Sequence, residues 1–176
     1  MENNWDIVNV LRYARHDWLN KIQLIKGNLS LNRLERAQDI IDEIVMEAQQ
    51  EAKLSNLKLP NFAALLLVTN WNNYYFRLEY EVLGDLQSVM MDDTQLTEWT
   101  SSFFGFLNTC IEAFQENHLS ISVLPEVIGA QFFFDFTGSI LKQEELKAFL
   151  EKSHPAVNLK EISETELSFE LQWVNT

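Results

Sequence analysis

One cysteine, three prolines and five glycines in 176 residues leave this chain little scope for disulfides, kinked helices or glycine-rich loops. Cys110 cannot close a bridge within the chain, and its setting among Phe104, Leu107, Ile111 and Phe114 predicts a core position. No apolar run reaches the roughly 20 residues that span a bilayer. The opening Met1-Glu2-Asn3-Asn4-Trp5-Asp6 has neither the basic nor the apolar region of a signal peptide, so the expectation is a cytoplasmic protein with no membrane partner. Basic residues are also scarce. Thirteen stand against 26 acidic ones, a formal net charge of −13, which argues against nucleic acid and anionic membrane as partners because both would be repelled. The shortage is uneven, since residues 1–29 carry a net charge of +1 and the rest −14.

That least acidic segment holds the most informative pattern. Leu11, Ala14, Trp18, Ile22, Ile25 and Leu29 recur at steps of three and four, one face of an amphipathic helix spanning Trp5 to Leu29. At roughly 100° per residue His16 points about 160° away from the middle of that face. Asn20, Gln23 and Gly27 follow it at spacings of four, three and four, so a polar, small-residue strip runs along the outer surface with an imidazole at its head. A lone histidine on a solvated helix is by itself an ordinary surface residue. Held on a rigid helix with room around it, it is also suited to act as a nucleophile toward something another molecule brings.

The wording around it decides between the two. Arg15-His16-Asp17-Trp18-Leu19-Asn20-Lys21, continued by Ile22-Gln23-Leu24-Ile25-Lys26-Gly27-Asn28-Leu29-Ser30-Leu31, closely resembles the sporulation initiation phosphotransferase B family, the histidine phosphotransferases of the endospore-formers' phosphorelay. It resembles more loosely the phosphoacceptor boxes of sensor kinases, where His-Asp or His-Glu is followed by Asn four residues after the His. Lys53-Leu54-Ser55-Asn56-Leu57-Lys58, Leu78-Glu79-Tyr80-Glu81-Val82-Leu83-Gly84 and Glu116-Asn117-His118-Leu119 resemble the same family in the same order, so the likeness spans most of the chain.

The organisation read from the residues is α+β in two domains. Gly27, Asn28 and Ser30 weaken the first helix, and Asn32-Arg33-Leu34-Glu35 has the form of an N-cap opening a second one. The second helix's apolar face reads Leu34, Ala37, Ile41, Ile44, Ala48 and Ala52, broadened by Ile40 and Val45. Two helices alone bury too little apolar surface, so pairing with a second copy into a four-helix bundle is expected, and the resemblance implies the same homodimer. Pro60 marks the boundary between a helical hairpin at 1–57, for dimerisation and phosphoacceptance, and an α/β sandwich at 58–176. In the latter the pattern predicts a helix from Phe62 to about Tyr75, a strand at 77–83, a helix from Thr94 to about Gln115, strands at 118–124 and 130–136, a helix at 142–151, and strands at 157–162 and 166–174.

This order resembles the ATP-binding domain of sensor histidine kinases in a degenerate form. Asn108 is retained in the stretch that lies over the asparagine box, but Glu112 stands where the key asparagine would be. Asp135-Phe136-Thr137-Gly138-Ser139 is a worn glycine motif, read more readily as a strand end and turn. After Gly138 there is no glycine at all, so a glycine-rich nucleotide lid cannot be assembled and no cofactor of its own is expected.

The resemblance implies phosphoryl transfer from the aspartate of one response regulator to His16 and on to the aspartate of a second, with Mg2+ supplied by the regulator's acidic pocket. Around His16 the phosphoryl or regulator contacts are expected to be Arg12, one turn earlier, with Asn20, Gln23, Gly27 and the exposed Leu19 and Leu24. Asp17 is expected about 100° around the helix, acting on the imidazole through another residue or only solvating the face. Arg15 points nearer the bundle, toward an acid on the second helix. His118 and His154 receive no role, because nothing near them has metal-ligand spacing. Two other readings stay open, a non-catalytic dimeric adaptor for two-component proteins and a kinase with an unorthodox nucleotide site.

Overall fold

The computed structural model describes residues 6–84, 91–154 and 156–174. The chain divides into two compact units, 1–51 and 52–176. In the first, helix α1 spans Ile7–Ser30 and α2 spans Leu34–Asn56, so the last turn of α2 counts with the second unit. Asp6 caps α1, its carboxylate accepting the Asn9 N–H at 2.8 Å. Trp5, where the sequence pattern begins, lies outside the described residues.

The turn between the helices corrects one expectation. Asn32 is not the N-cap of α2. It has φ +54° and closes α1 instead, with the Asn32 N–H donating to Leu29 O and the Arg33 N–H to Asn28 O. That pair of bonds is a Schellman motif, and Asn is the non-glycine residue that best tolerates its left-handed position.

The apolar face of α2 is also reassigned. Ala37 and Ile40 are buried and Ile44 is half-buried, on the side where the Lys21 ammonium of α1 pairs with the Glu47 carboxylate. Ile40 was expected at the margin and is central. Leu34, Ile41 and Val45 are exposed, as are Leu11, Trp18, Ile22 and Leu29 of α1. Counted from the residues that face the other helix, these exposed stripes lie about 90° round α1 and about 100° round α2. The helices run antiparallel, so the two similar rotations bring both stripes to one side of the hairpin.

In the second unit, α3 is Pro60–Thr69, β1 Arg77–Val82, α4 Asp93–Cys110, β2 His118–Pro125, β3 Ala130–Thr137, α5 Gln143–Ser153, β4 Val157–Ile162 and β5 Glu166–Trp173. The strands form one sheet in the order β1-β2-β3-β5-β4, with β1 parallel to β2 and the other pairs antiparallel. Alternation sends Leu119, Ile121, Val123, Phe132, Phe134, Phe136, Leu167, Phe169 and Leu171 to one face, where they are buried. The helices lie on that face: Phe62 of α3 meets Phe132 edge-on, Phe103 of α4 meets Phe134 and Phe169, and Leu146 and Leu150 of α5 complete the core. Leu54, Leu57 and Leu59 belong to this same core, which is why the end of α2 goes with it.

Two helices stop short of the sequence pattern. α3 ends at Thr69 rather than Tyr75 because the Asn70 side chain accepts from Leu78 N and donates to Leu78 O, both at 2.8 Å, fastening the chain to β1. α4 ends at Cys110 rather than Gln115 because the backbone turns to pair with the segment after β3. Ile111 bridges Ile140, Glu112 N donates to Ser139 O, and Leu141 N donates to Cys110 O. Asp92 caps α4, while the Asp93 carboxylate accepts the free Asn61 and Phe62 N–H groups at the start of α3.

Candidate functional site

His16 stands on the third turn of α1 with 72 % of its side chain exposed. Its Nδ1 lies 3.3 Å from the Asn20 amide nitrogen and 3.6 Å from a carboxylate oxygen of Asp17. Asn20 arrives by helical spacing, four residues on and therefore over the same face. Asp17 arrives by side-chain reach, which helical phase alone did not predict. Its carboxylate addresses the imidazole directly, where action through another residue or simple solvation was expected. Both neighbours engage Nδ1, and Nε2 has no protein partner among the described residues.

The rest of the strip is open. Arg12, Leu19, Gln23, Leu24 and Gly27 are all exposed. A Cβ built on Gly27 would meet nothing within 4 Å, so no packing within this chain requires glycine there, although glycine costs a helix about 1 kcal/mol relative to alanine. Asn20, expected to contact a docked regulator, has its amide set against His16. The cross-helix ion pair belongs to Lys21 and Glu47, not to Arg15.

Sequence reading missed a shallow cleft between α1 and α2. Leu24 lies along it with Lys21, Asn28, Arg36, Ile40 and Glu43. Its charges are largely spent on one another, Lys21 on Glu47 and Arg36 on Asp39 and Glu43. The i,i+3 and i,i+7 spacing of Arg36, Asp39 and Glu43 was the available signal.

In the second unit the residues lying over kinase motifs are engaged in structural bonds. Asn108 Oδ1 accepts the Tyr75 N–H at 2.6 Å. Glu112 accepts the Ser139 hydroxyl at 3.0 Å. Buried Asn117, also missed as a structural centre, donates to Tyr75 O and Glu112 O and accepts from Ser139 N, tying the ends of α4 and β3 to the start of β2. Asp135 stands in β3 on the face away from the helices, opposite in alternation to Phe134 and Phe136, and partial desolvation there raises its carboxyl above the usual range. Asn108 and Asp135 are therefore on opposite sides of the sheet.

Cys110 is buried, and burial raises its thiol. His118 is exposed at the head of β2, and His154 stacks on Trp173 with ring centres 4.6 Å apart. Among the described residues no group of three or more His, Cys, Asp or Glu side chains could hold a metal ion, and no helix is long and apolar enough to cross a membrane.

Comparison with known proteins identifies the family. Residues 58–174 match the family described as sporulation initiation phosphotransferase B, C-terminal, and residues 1–57 match the sensor kinase SpoOB-type alpha-helical domain. The chain belongs to the sporulation initiation phosphotransferase B family. A relative from Bacillus subtilis (strain 168), named sporulation initiation phosphotransferase B, is 39% identical over 136 residues, which are 76% of this chain and 71% of that protein. Solved structures with a similar arrangement include the histidine kinase AdeS of Acinetobacter baumannii, 10% identical with a TM-score of 0.48, covering 90% of this chain and 97% of that one. A structure titled as a bacterial phosphotransferase is 11% identical with a TM-score of 0.40, covering 95% and 97%. At such scores the family assignment rests on the sequence match.

Proposed function

We propose that this protein is a phosphorelay histidine phosphotransferase in the control of sporulation, taking a phosphoryl group from the aspartate of one response regulator onto His16 and passing it to the aspartate of a second. The observation that carries the reading is the exposed imidazole with Nδ1 engaged by its own helix and Nε2 free. An Asp17 carboxylate beside Nδ1 favours the tautomer with its proton there, which puts the in-plane lone pair on Nε2. That nitrogen attacks phosphorus in line, and the chemistry is largely positioning and charge stabilisation. Mg2+ belongs to the regulator's acidic pocket. Arg12 meets phosphoryl oxygens, while Leu19, Gln23 and Leu24 form the docking strip. Gly27 fits there as the point of closest approach, since its own chain has no use for the missing Cβ.

The phosphoryl source is another protein rather than ATP. Support comes from the bonds that occupy Asn108 and Glu112, and from the sheet that separates Asn108 from Asp135, so that one nucleotide could not touch both. The exposed apolar side of the hairpin supports a homodimer, in which two such faces close a four-helix bundle and present His16 twice. The protein acts in the cytoplasm, without nucleic acid or membrane.

The test mixes purified protein with a response regulator phosphorylated on its aspartate with labelled acetyl phosphate, in the absence of ATP. Acid-labile, base-stable label on the wild type and none on His16→Ala is the expected result. Label obtained only from ATP would make the protein a kinase. Regulator binding without label from either source would make it an adaptor.

A further inference from the structure

Among the described residues Phe114 is the large apolar side chain most open to water, 92 % exposed. It stands in the turn between α4 and β2 with φ +63°, a left-handed conformation that a bulky residue rarely adopts. The turn is held there from both ends. Ile111 bridges Ile140, Glu112 N donates to Ser139 O, and the Asn117 amide donates to Glu112 O. The exposed Tyr75 ring meets Phe114 edge-on, with centres 5.5 Å apart. Its backbone is fixed by two side chains, the N–H by Asn108 and the C=O by Asn117. Two aromatic rings are thus displayed on a surface that is built before any partner arrives, which lowers the ordering cost of binding.

The charge around the rings is of one sign. The segments that carry them, 70–76 and 111–117, contain Glu112 and Glu116 and no basic residue. Arg77, the next residue in the chain, stands on the sheet face away from the helices, opposite in alternation to buried Leu78. Lys142, whose backbone N–H reaches Cys110 O at the end of α4, is paired with Glu145. Residues 52–176 as a whole carry seven basic residues against 17 acidic ones, a net charge of −10. An open π face beside carboxylates is the complement of a guanidinium, which stacks flat on the ring and offers a fork of donors to a carboxylate. We infer that the Tyr75 and Phe114 pair is a docking surface for an arginine-bearing segment of a partner protein, the guanidinium lying over the Phe114 ring and Glu116 accepting its hydrogen bonds. This surface belongs to the other compact unit from His16, so the inference stands whether or not His16 is the phosphoacceptor.

The test titrates the full-length protein with hexaarginine and hexalysine peptides at physiological ionic strength, following the Tyr75 and Asn117 backbone amides and the Asn117 side-chain amide in 1H–15N spectra. These signals should move at lower concentrations of hexaarginine than of hexalysine. Phe114→Leu keeps an apolar side chain and removes the π face, and the ring it replaces buries almost nothing, so folding is not at stake. It should raise the hexaarginine midpoint about two- to fivefold, the worth of an exposed cation–π contact, and bring the two peptides level. Glu116→Gln should raise both midpoints. Equal midpoints for the two peptides in the wild type overturn the inference, as does a hexaarginine midpoint unchanged in Phe114→Leu. Weaker self-association of Phe114→Leu in sedimentation without peptide would assign the surface to a second copy of this chain, and that result also overturns it.

Discussion

Replacing Ile22 with alanine tests the proposed dimer where the structure gives the best purchase on its strength. Ile22 keeps 52 % of its surface exposed and lies between Trp18 and Leu29 on the apolar side of α1. Full burial of such a side chain stabilises by about 1.5–3 kcal/mol, so the exposed half offers about 1 kcal/mol to an interface. A two-fold dimer uses each residue twice. The loss is then about 2 kcal/mol, or a roughly 30-fold rise in the dimer dissociation constant. The isolated hairpin should barely notice, because what is removed is surface that the single chain leaves in water. Sedimentation equilibrium across a dilution series gives the dissociation constant, and circular dichroism at the same concentrations checks that helix content holds. A constant within about threefold of wild type would refute the argument, as would a wild type that stays monomeric at every concentration.

Three further outcomes follow from particular contacts. A fragment beginning at Ala52 should melt at a higher temperature than one beginning at Lys58, because the shorter one lacks Leu54 and Leu57, both fully buried, and each lost core leucine costs about 2–5 kcal/mol; equal melting temperatures would place the domain boundary later. Gly138→Ala should destabilise by at least about 2 kcal/mol in a urea titration, since the new Cβ would meet Asn117 Oδ1 at 2.2 Å and Asn117 Cα at 3.0 Å and disturb the bonds that Asn117 makes. Burial lowers the His154 imidazole, and its Nδ1 accepts the Ala156 N–H, so the folded state resists protonation that the unfolded chain permits. The unfolded state then binds more protons, and stability is complete above the ordinary histidine value near 6.5. It falls as pH drops below that toward the lowered folded value. His154→Gln should flatten this part of the stability profile, and an unaltered profile would remove His154 from it.

Much of this protein was legible in the order of its residues. The three-and-four spacing of Leu11, Ala14, Trp18, Ile22, Ile25 and Leu29 placed a helix, and its phase put His16 on the opposite side, because helical periodicity is local. Alternation likewise set the strands and their buried rows, as in Phe132, Phe134 and Phe136. What periodicity could not see was where a competing partner ends an element. α4 stops at Cys110 because Ile140 and Ser139, about 30 residues away, offer the backbone other bonds. α3 stops where Asn70 finds Leu78, and Asn32 closes one helix rather than opening the next because a left-handed φ satisfies two α1 carbonyls.

The candidate site divides in the same way. Sequence by itself determined that an exposed histidine heads a polar strip, and that Asn20 shares its face, since both follow from the 3.6-residue repeat. Only the tertiary structure decided that Asp17 bends back to Nδ1, that Ile40 rather than Ile41 faces α1, and that Asn108 and Asp135 stand on opposite sides of one sheet. These depend on side-chain rotamers and on pairings between distant segments, which packing fixes and a linear pattern does not contain.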